Sequence, residues 1–507
     1  MWPRIIGTET EYGLLAIKDG RPFEPLRLPV KMREFLEECI PHDLCPKYFL
    51  FPTGNAYLSN GARFYIDTGQ HPEYACPEGC GPHEAALNEL AGGRIVEGTV
   101  ANANTLWEKE GIKMRCFKNN LPSDASYLES VPPVWDSFGN HENYLVSRSV
   151  VEVGESIPVK IGAILYPYFA SGYIFSGNGW VVRSQDKIVY LLSQRALTIQ
   201  GLAGGATTSH RPIISTRDEP HADKNKYTRL HIICRDSLML QPALLWKLGT
   251  LDILLDAIEE GFLRECPLGN WEKKDVLNAI GVFVRDPQLE SVVSVDGFYN
   301  NAASIQKCFR DIAWKFCEAS GHIDEKRKQI LKLWDTFIEC AESPNPLEAL
   351  SPYVDGAAKR VFMEKDMEKR GYGWDSHASD VVRVPGKKDC TLFYHLKELD
   401  LRFSEECSQG IARNFIRRGI FESIFTEEEI QAAIFMPAPT TRGYARALKW
   451  RRFREFALKN KCRLKFKVDW TYETVEIEGG EKIYDNSSDE NKALDPFDID
   501  SHLPKNL

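Results

Sequence analysis

The sequence has no uninterrupted apolar run of the roughly 18 residues that a membrane span needs. Its most apolar stretch, "ALLWKLGTLDILLDAI", is broken by Lys247, Asp252 and Asp256. The N-terminus, "MWPRIIGTETEYG", lacks the apolar core of a signal peptide and carries charges and turn residues instead. Excess positive charge is also missing: the formal net charge is −9, which argues against a nucleic-acid binder as a whole. Low-complexity tracts and convincing internal repeats are absent. The thirteen cysteines are odd in number and scattered, which suits reduced thiols better than a disulfide framework. These absences predict a cytoplasmic protein with no membrane and no nucleic-acid partner. With 43% hydrophobic and 27% charged residues over 507 positions, the chain is long enough for two domains and a large core.

Several catalytic signatures are missing too. No Walker A loop or kinase-type glycine-rich loop follows a strand, and no G-x-S-x-G elbow occurs. Cys76 and Cys80 have no second cysteine pair nearby, which argues against zinc.

What is present begins with "NGARFYIDTGQHPEYACPE", residues 60–78. Period-two alternation puts Arg63, Tyr65 and Asp67 on one face and Phe64 and Ile66 on the other, with Glu73 just beyond. "RIIGTETEYGLLAI" reads as a first strand, with Glu9 and Glu11 sharing a face by the same rule. Two readings fit: edge strands with solvated polar faces, or the wall of a cleft that holds an anion and a cation. In the second, carboxylates gathered together need cations, because an unpaired buried carboxylate is costly. Glu9, Glu11 and Glu73 are oxygen donors of the kind Mg²⁺ prefers, and the fork of Arg63 suits phosphate. Asp67 is then free to act as a base. ATP, if bound, would sit on a sheet face through acids and arginines.

Further along, "PHEAALNELAGGRIVEGTVANANTLWEKEG" reads as a long helix ending at Gly111, "IKMRCFKNN" as a strand, and "HENYLVSR" as the segment after a proline-containing loop. "NHENYLV" offers His141, Glu142 and Asn143, a weak signal alone. "STRDEPHADKNKYTRLH" gathers Arg217, Asp218, Glu219, His221, Asp223 and Arg229, which equally fits a solvated charge run. Residues 302–342 carry two amphipathic helices. "MPAPTTRG" near residue 435 breaks the pattern, a basic stretch from Arg442 to Lys467 follows, and Gly479-Gly480 marks a hairpin turn. The division expected is 1–434, a main domain, and 435–507, a small basic C-terminal domain with an acidic tail.

Eight stretches, "RIIGTETEYG", "NGARFYIDTGQHPEYACPE", "KNN…HENYLVSR", "LLSQRA", "ISTRDEPHADKNKYTRLH", "LGTLDILLD", "PTTRGYARA" and "KVDW", occur in one order along nearly the whole chain. Together they resemble the Pup ligase and Pup deamidase/depupylase family of bacterial pupylation. That resemblance implies an α+β fold: a glutamine-synthetase-like curved antiparallel sheet packed with helices, holding ATP and Mg²⁺, plus a small C-terminal domain. It puts metal binding on Glu9, Tyr65 and Glu73, catalysis on Asp67 and ATP contact on Arg63, with Trp470 against the adenine. Glu11, His141, Arg217, His221 and Arg442 lie in matching motifs; Glu11 joins the metal set and Arg217 the nucleotide contacts. Cys76 stands where the family's ligases carry a nucleotide-contacting Thr, and the loop 121–140 is longer than usual.

The family contains opposed activities. A ligase phosphorylates the C-terminal glutamate of a small acidic, disordered Pup-like modifier and passes it to target lysines, in a pathway linked to proteasomal degradation. A deamidase/depupylase hydrolyses the product. The hydrolytic branch carries a long insertion between the "ETEYG" and "NGAR" strands, where this chain has only residues 14–59, and "FKVDW" looks like the ligase ending. The reading is therefore a ligase. A depupylase, a small-molecule γ-glutamyl ligase and a silent modifier-binding scaffold are the alternatives.

Overall fold

The structure is a computed structural model that describes residues 3–47, 49–52, 54–67, 69–121, 137–150, 156–206, 210–383, 388–468, 473–485 and 495–498. Most of the loop 121–140, Trp470 and most of the acidic tail lie outside these residues.

A nine-stranded sheet organises the fold. Its strands are β1 (Ile5–Glu11), β2 (Asn55–Tyr57), β3 (Arg63–Ile66), β4 (Pro72–Ala75), β5 (Gly79–Cys80), β6 (Asn140–Ser147), β7 (Gly201–Gly204), β8 (Pro212–Ser215) and β9 (Tyr227–Ile232). They run in the order β7-β8-β9-β6-β1-β4-β3-β2, and β5 pairs with the start of β1. The pairs are antiparallel except β7–β8, which are parallel, so the expected antiparallel sheet is mixed at one edge.

Alternation decides which face each side chain takes. Along β1, Ile6 is buried in the largest hydrophobic cluster while Glu9 and Glu11 line a cleft on the opposite face. Helices cover the apolar side: α1 (Pro82–Leu106) packs on β1, α2 (Ile157–Ser171) on β7, β8 and β9, and α3 (Gln241–Glu259) on β6. The α+β expectation holds. Every residue of α3 from Gln241 to Ile258 is buried, which marks a helix through the middle of a core. Its charges are satisfied internally: Lys247 donates to the Asn140 side chain, while Asp252 and Asp256 meet Arg4. Among the described residues, no helix is long and apolar enough to cross a membrane. The two amphipathic helices expected in 302–342 are α4 (Ala302–Ser320) and α5 (Glu325–Ala341).

The single first strand expected over residues 4–17 is in fact two. β1 stops at Glu11, and Gly13–Lys18 joins a separate three-stranded sheet through Ile112–Phe117. The break has a local cause. The Tyr12 N–H makes the next bond of the β1–β4 ladder, to the Pro72 carbonyl, but proline has no N–H to return it, and Gly13 packs against Asn119, whose Oδ1 would lie 2.5 Å from an added Cβ.

At the C-terminal end, α6 (Arg442–Asn460) precedes β10 (Leu464–Val468), β11 (Glu473–Ile477) and β12 (Lys482–Asp485), with Gly479 at φ +77° between the last two. β10 pairs in parallel with Phe49–Leu50. Trp450 of α6 stacks on Tyr57 of β2, ring centroids 5.9 Å apart, within an aromatic cluster that includes Phe49 and Phe466. The C-terminal segment and the N-terminal sheet edge thus share one core.

Candidate active site

Strand register assembles the site. Glu11 of β1 lies opposite Glu73 of β4, and Glu73 lies opposite Tyr65 of β3, so the three form one cross-strand row. Glu9 stands opposite His141 of β6, and Asn143 opposite His231 of β9. These rows face a cavity of about 250 Å³, which Asp67, Glu219, His71, Arg217 and His221 also line. Arg229 of β9 lines it too, with Arg195 and Arg211 from the segments before β7 and β8, so the acids of β1 and β4 and Asp67 share the cavity with three arginines.

The acid half is electrostatically unfinished. Like charges directly opposite across a ladder repel, yet Glu11 and Glu73 are 8% and 3% exposed. Glu11 accepts a 2.8 Å hydrogen bond from the Gly139 N–H. Among the described residues, no lysine or arginine forms an ion pair with either carboxylate. Burial, and then the charges of Glu9, Glu11 and Asp67, push the Glu73 carboxyl well above the usual range despite a hydrogen bond from Tyr65. Burial and the same neighbours, Glu73 and Glu9, push the Tyr65 phenol up. Burial acts upward on Glu9 as well, but its hydrogen bond with His141 and the charges of His231, His141 and Arg229 outweigh it and hold Glu9 low. Three carboxylates and a phenol form a hard oxygen set that fits Mg²⁺.

Asp67 lies just past the end of β3, half-buried in a tight turn where its N–H donates to the His71 carbonyl and its carbonyl accepts from Gln70. That turn holds it at the cavity with Tyr65. Arg63 does not line the cavity: its guanidinium stacks 4.0 Å over the Tyr65 ring and donates to Asn55 Oδ1. Cys76 is turned toward the helix side, where its Sγ accepts a 3.2 Å hydrogen bond from Thr8 and burial pushes the thiol up. Arg217 lines the cavity and donates to the Gly205 carbonyl. Trp470 lies outside the described residues. Glu142 points into the core, beside Arg235 at 3.6 Å, and Asp218 pairs with Arg148.

The start of α6 is latched to this site. Glu78, between β4 and β5, accepts from Arg442 and Arg446, and Arg442 also donates to the His221 carbonyl in the cavity-lining loop. Burial acts upward on the Glu78 carboxyl, but the two guanidiniums hold it well below the usual range. Gly61, at φ +84° in the turn before β3, lets Gly443 come close: an added Cβ would lie 2.6 Å from the Gly443 carbonyl.

Sequence reasoning did not single out His231, Arg211, Arg195 or His71. His231 carried a signal, since it sits two residues after Arg229 on a strand and so shares its face.

The same chain can be set beside known proteins. The family model described as Pup-ligase protein matches residues 4–473. A Pup–protein ligase of Kineococcus radiotolerans is 31% identical over 475 residues, 92% of each chain. One from Xylanimonas cellulosilytica is 31% identical over 480 residues, 92% of this chain and 93% of that one. A Pup deamidase/depupylase of Mycolicibacterium smegmatis is 30% identical over 404 residues, 79% of this chain and 72% of its own length. The crystal structure of the ligase PafA in complex with Pup superposes with a TM-score of 0.75 at 25% identity, over 98% of this chain and 90% of that one. PafA in complex with ADP gives 0.69 at 26% identity, over 88% of each chain. With the family model matched across nearly its full length, this chain belongs to the Pup-ligase family.

Proposed function

We propose that this protein is an ATP-dependent ligase that joins the side-chain carboxylate of a C-terminal glutamate, on a small acidic Pup-like modifier, to lysines of target proteins. The reading rests above all on Glu11 and Glu73, buried and directly opposed with, among the described residues, no lysine or arginine paired to either, an arrangement relieved by a cation from outside or by a proton. The ligase relatives match both chains over more than nine-tenths of their length, the depupylase over less of each, which favours ligation over hydrolysis.

A carboxylate does not react with an amine in water, so ATP must first convert it to a γ-glutamyl phosphate. Glu9, Glu11, Tyr65 and Glu73 would hold Mg²⁺, which when bound neutralises charge on the transferring phosphoryl group. Arg63 and Arg217 are the candidate phosphate contacts; Trp470 is assigned to the adenine, and Cys76 to the family's nucleotide-contact position. Lysine, with an ordinary pKa of about 10.4, reaches the site as an ammonium ion. Asp67 takes one N–H proton, and the freed lone pair attacks the acyl carbon. The C–O bond to phosphate breaks, the departing phosphate carries off the second N–H proton, and isopeptide and inorganic phosphate are left. The basic face of α6 suits an acidic disordered modifier. A cytoplasmic, reducing setting belongs to the same reading, as does a link to proteasomal degradation.

The test mixes purified protein with a modifier ending in Glu, a lysine-bearing target and ATP. Conjugate and ADP should form together, and Asp67→Asn should slow conjugation by about 10²–10⁴-fold. Undiminished conjugation by Asp67→Asn removes Asp67 from the mechanism. Release of modifier from a conjugate without matching ATP consumption identifies a depupylase, and acceptance of free glutamate a small-molecule ligase.

A further inference from the structure

Beyond Glu9 the cleft face of the large sheet turns apolar, and the far end of the chain covers it. Alternation puts Ile5 on the face of Glu9 in β1, and Leu145 on the face of His141 in β6. Both are buried, in a small apolar cluster with Ala222 that is separate from the main core, which takes Ile6 and Tyr144 on the opposite face. Tyr227, at the start of β9, and Phe497 pack against that cluster. Phe497 belongs to the segment 495–498, in which Pro496 is buried and Phe497 half-buried. The segment makes a tight turn: the Phe497 N–H donates to Asp495 Oδ1 at 3.0 Å, and the Asp498 N–H to the Asp495 carbonyl at 3.1 Å.

The same segment reaches the loop 216–226, between β8 and β9, by two routes. That loop presents Arg217, Glu219 and His221 to the cavity, with His221 at φ +49°, in the left-handed region that is unfavourable for a side chain with a Cβ. Such a backbone persists only where its surroundings hold it. The first route is apolar: Phe497 packs on the cluster that contains Ala222, the residue after His221. The second is polar. The Pro496 carbonyl accepts a 3.2 Å hydrogen bond from the Arg442 N–H, one of the donors that the first turn of α6 cannot satisfy itself, and the Arg442 side chain donates to the His221 carbonyl. Arg217 on the Gly205 carbonyl and Glu219 at 3.2 Å from Arg229 tie the loop to its own half of the sheet. Ala222 and His221 tie it to β1, β6 and α6.

We infer that Phe497 is a positioning residue: with Pro496 it straps the apolar end of the cleft face and holds the loop 216–226 so that Arg217, Glu219 and His221 face the cavity. Phe497 does not itself line the cavity. It acts through Ala222, as Pro496 acts through Arg442. The inference rests on reading the cleft as the site of ATP-driven ligation, and it gives the C-terminal segment a part in that reaction.

Phe497→Ala in the full-length protein is read in two ways. Without substrate, the amides of 216–226 should exchange with deuterium faster, while those of the core helix α3 keep their wild-type rates. In conjugation, KM for ATP should rise and kcat/KM for ATP should fall by about 10–100-fold, because a displaced loop misplaces the groups that meet the nucleotide. Phe497→Leu, which keeps an apolar side chain over Ala222, should recover most of both. A lower Tm with unchanged KM for ATP and unchanged loop exchange would overturn the inference, since a role in stability alone predicts it. Faster conjugation by Phe497→Ala would overturn it too, by marking a lid rather than a support. A chain ending at residue 494 removes the strap altogether and should show the same two changes. If neither variant folds, the segment belongs to the core and the inference fails. Exchange needs no substrate, so unchanged exchange in 216–226 beside active wild-type conjugation sinks only this inference, whereas an inactive wild type sinks the ligase reading.

Discussion

Two places in the molecule gather three carboxylates, and they are built on opposite plans. In the core, Asp252, Asp256 and Glu259 surround Arg4 at 3.0, 2.5 and 2.8 Å, and Arg327 also meets Asp256. In the cleft, Glu9, Glu11 and Glu73 stand together with histidines and a phenol, and among the described residues no guanidinium is inserted between Glu11 and Glu73. A protein that can bury arginine among acids in one place has left it out of the other. The first arrangement closes its own charge. The second stays open to a charge from solution, which is the property a cation–nucleotide site needs and a structural ion cluster lacks.

The contrast is sharpest when one partner is removed. Arg4→Met should cost about 3–5 kcal/mol in urea unfolding, because it strands buried carboxylates that water cannot reach. A loss within the range of ordinary surface changes would mean that the core network is not closed. Next in size is the response to metal. Mg²⁺ at 100 times its dissociation constant should stabilise the wild type by about 2.7 kcal/mol, since the ion binds the folded cleft alone. The gain should disappear in Glu11→Gln/Glu73→Gln and persist in a core variant, Asp252→Asn. A gain that survives in the cleft double variant would place the ion elsewhere.

The core cluster also has a pH signature. Three acids share two guanidiniums, so the cluster closes its charge by keeping a proton on one acid. Burial, with the charge of Asp256 and against those of Arg4 and Arg327, raises Asp252 to about 7. Between roughly pH 4 and 7 the native state then holds a proton that the unfolded chain has released, and stability falls as pH rises. Asp252→Asn should remove up to about 1.4 kcal/mol per pH unit of that slope. Parallel stability curves for wild type and variant from pH 5 to 7 would contradict it.

How much of this was readable beforehand follows from the range of each interaction. Period-two alternation is local, so "GTETEYG" and "GARFYID" correctly put Glu9 with Glu11 and Tyr65 with Arg63, and the acid half of the cleft could be drawn from two short segments. The imidazole half could not. His141 and His231 reach Glu9 only through the β1–β6 and β6–β9 pairings, and register between strands so far apart in sequence leaves no local trace. The same limit hid the parallel pairing of Phe49–Leu50 with β10, and with it the shared core of the two chain ends. Arg63 shares a face with Tyr65 as alternation predicts, but its guanidinium rests on the Tyr65 ring and the Asn55 side-chain carbonyl, a conformation that alternation does not set. The break at Tyr12 has no mark in residues 4–17 themselves: it comes from Pro72, which has no N–H to continue the ladder, and from the packing of Gly13 on Asn119.

The smallest expected effect has the opposite sign to the first. Glu73→Gln keeps the size of the side chain and a partner for the Tyr65 hydroxyl, and it removes a buried charge facing Glu9, Glu11 and Asp67. Without added metal it should stabilise the protein by about 0.5–2 kcal/mol, the usual size of a single stabilising substitution. The gain has a direction in pH. Glu73's carboxyl titrates higher in the folded protein than in the unfolded chain, so its penalty is absent below the unfolded value of about 4.3 and grows as pH rises. Thermal unfolding at pH 5 and pH 8 should therefore show the variant's advantage widening. If Glu73→Gln instead destabilises the metal-free protein as Arg4→Met does, the cleft is a closed ion cluster like the core, and the distinction between the two regions fails.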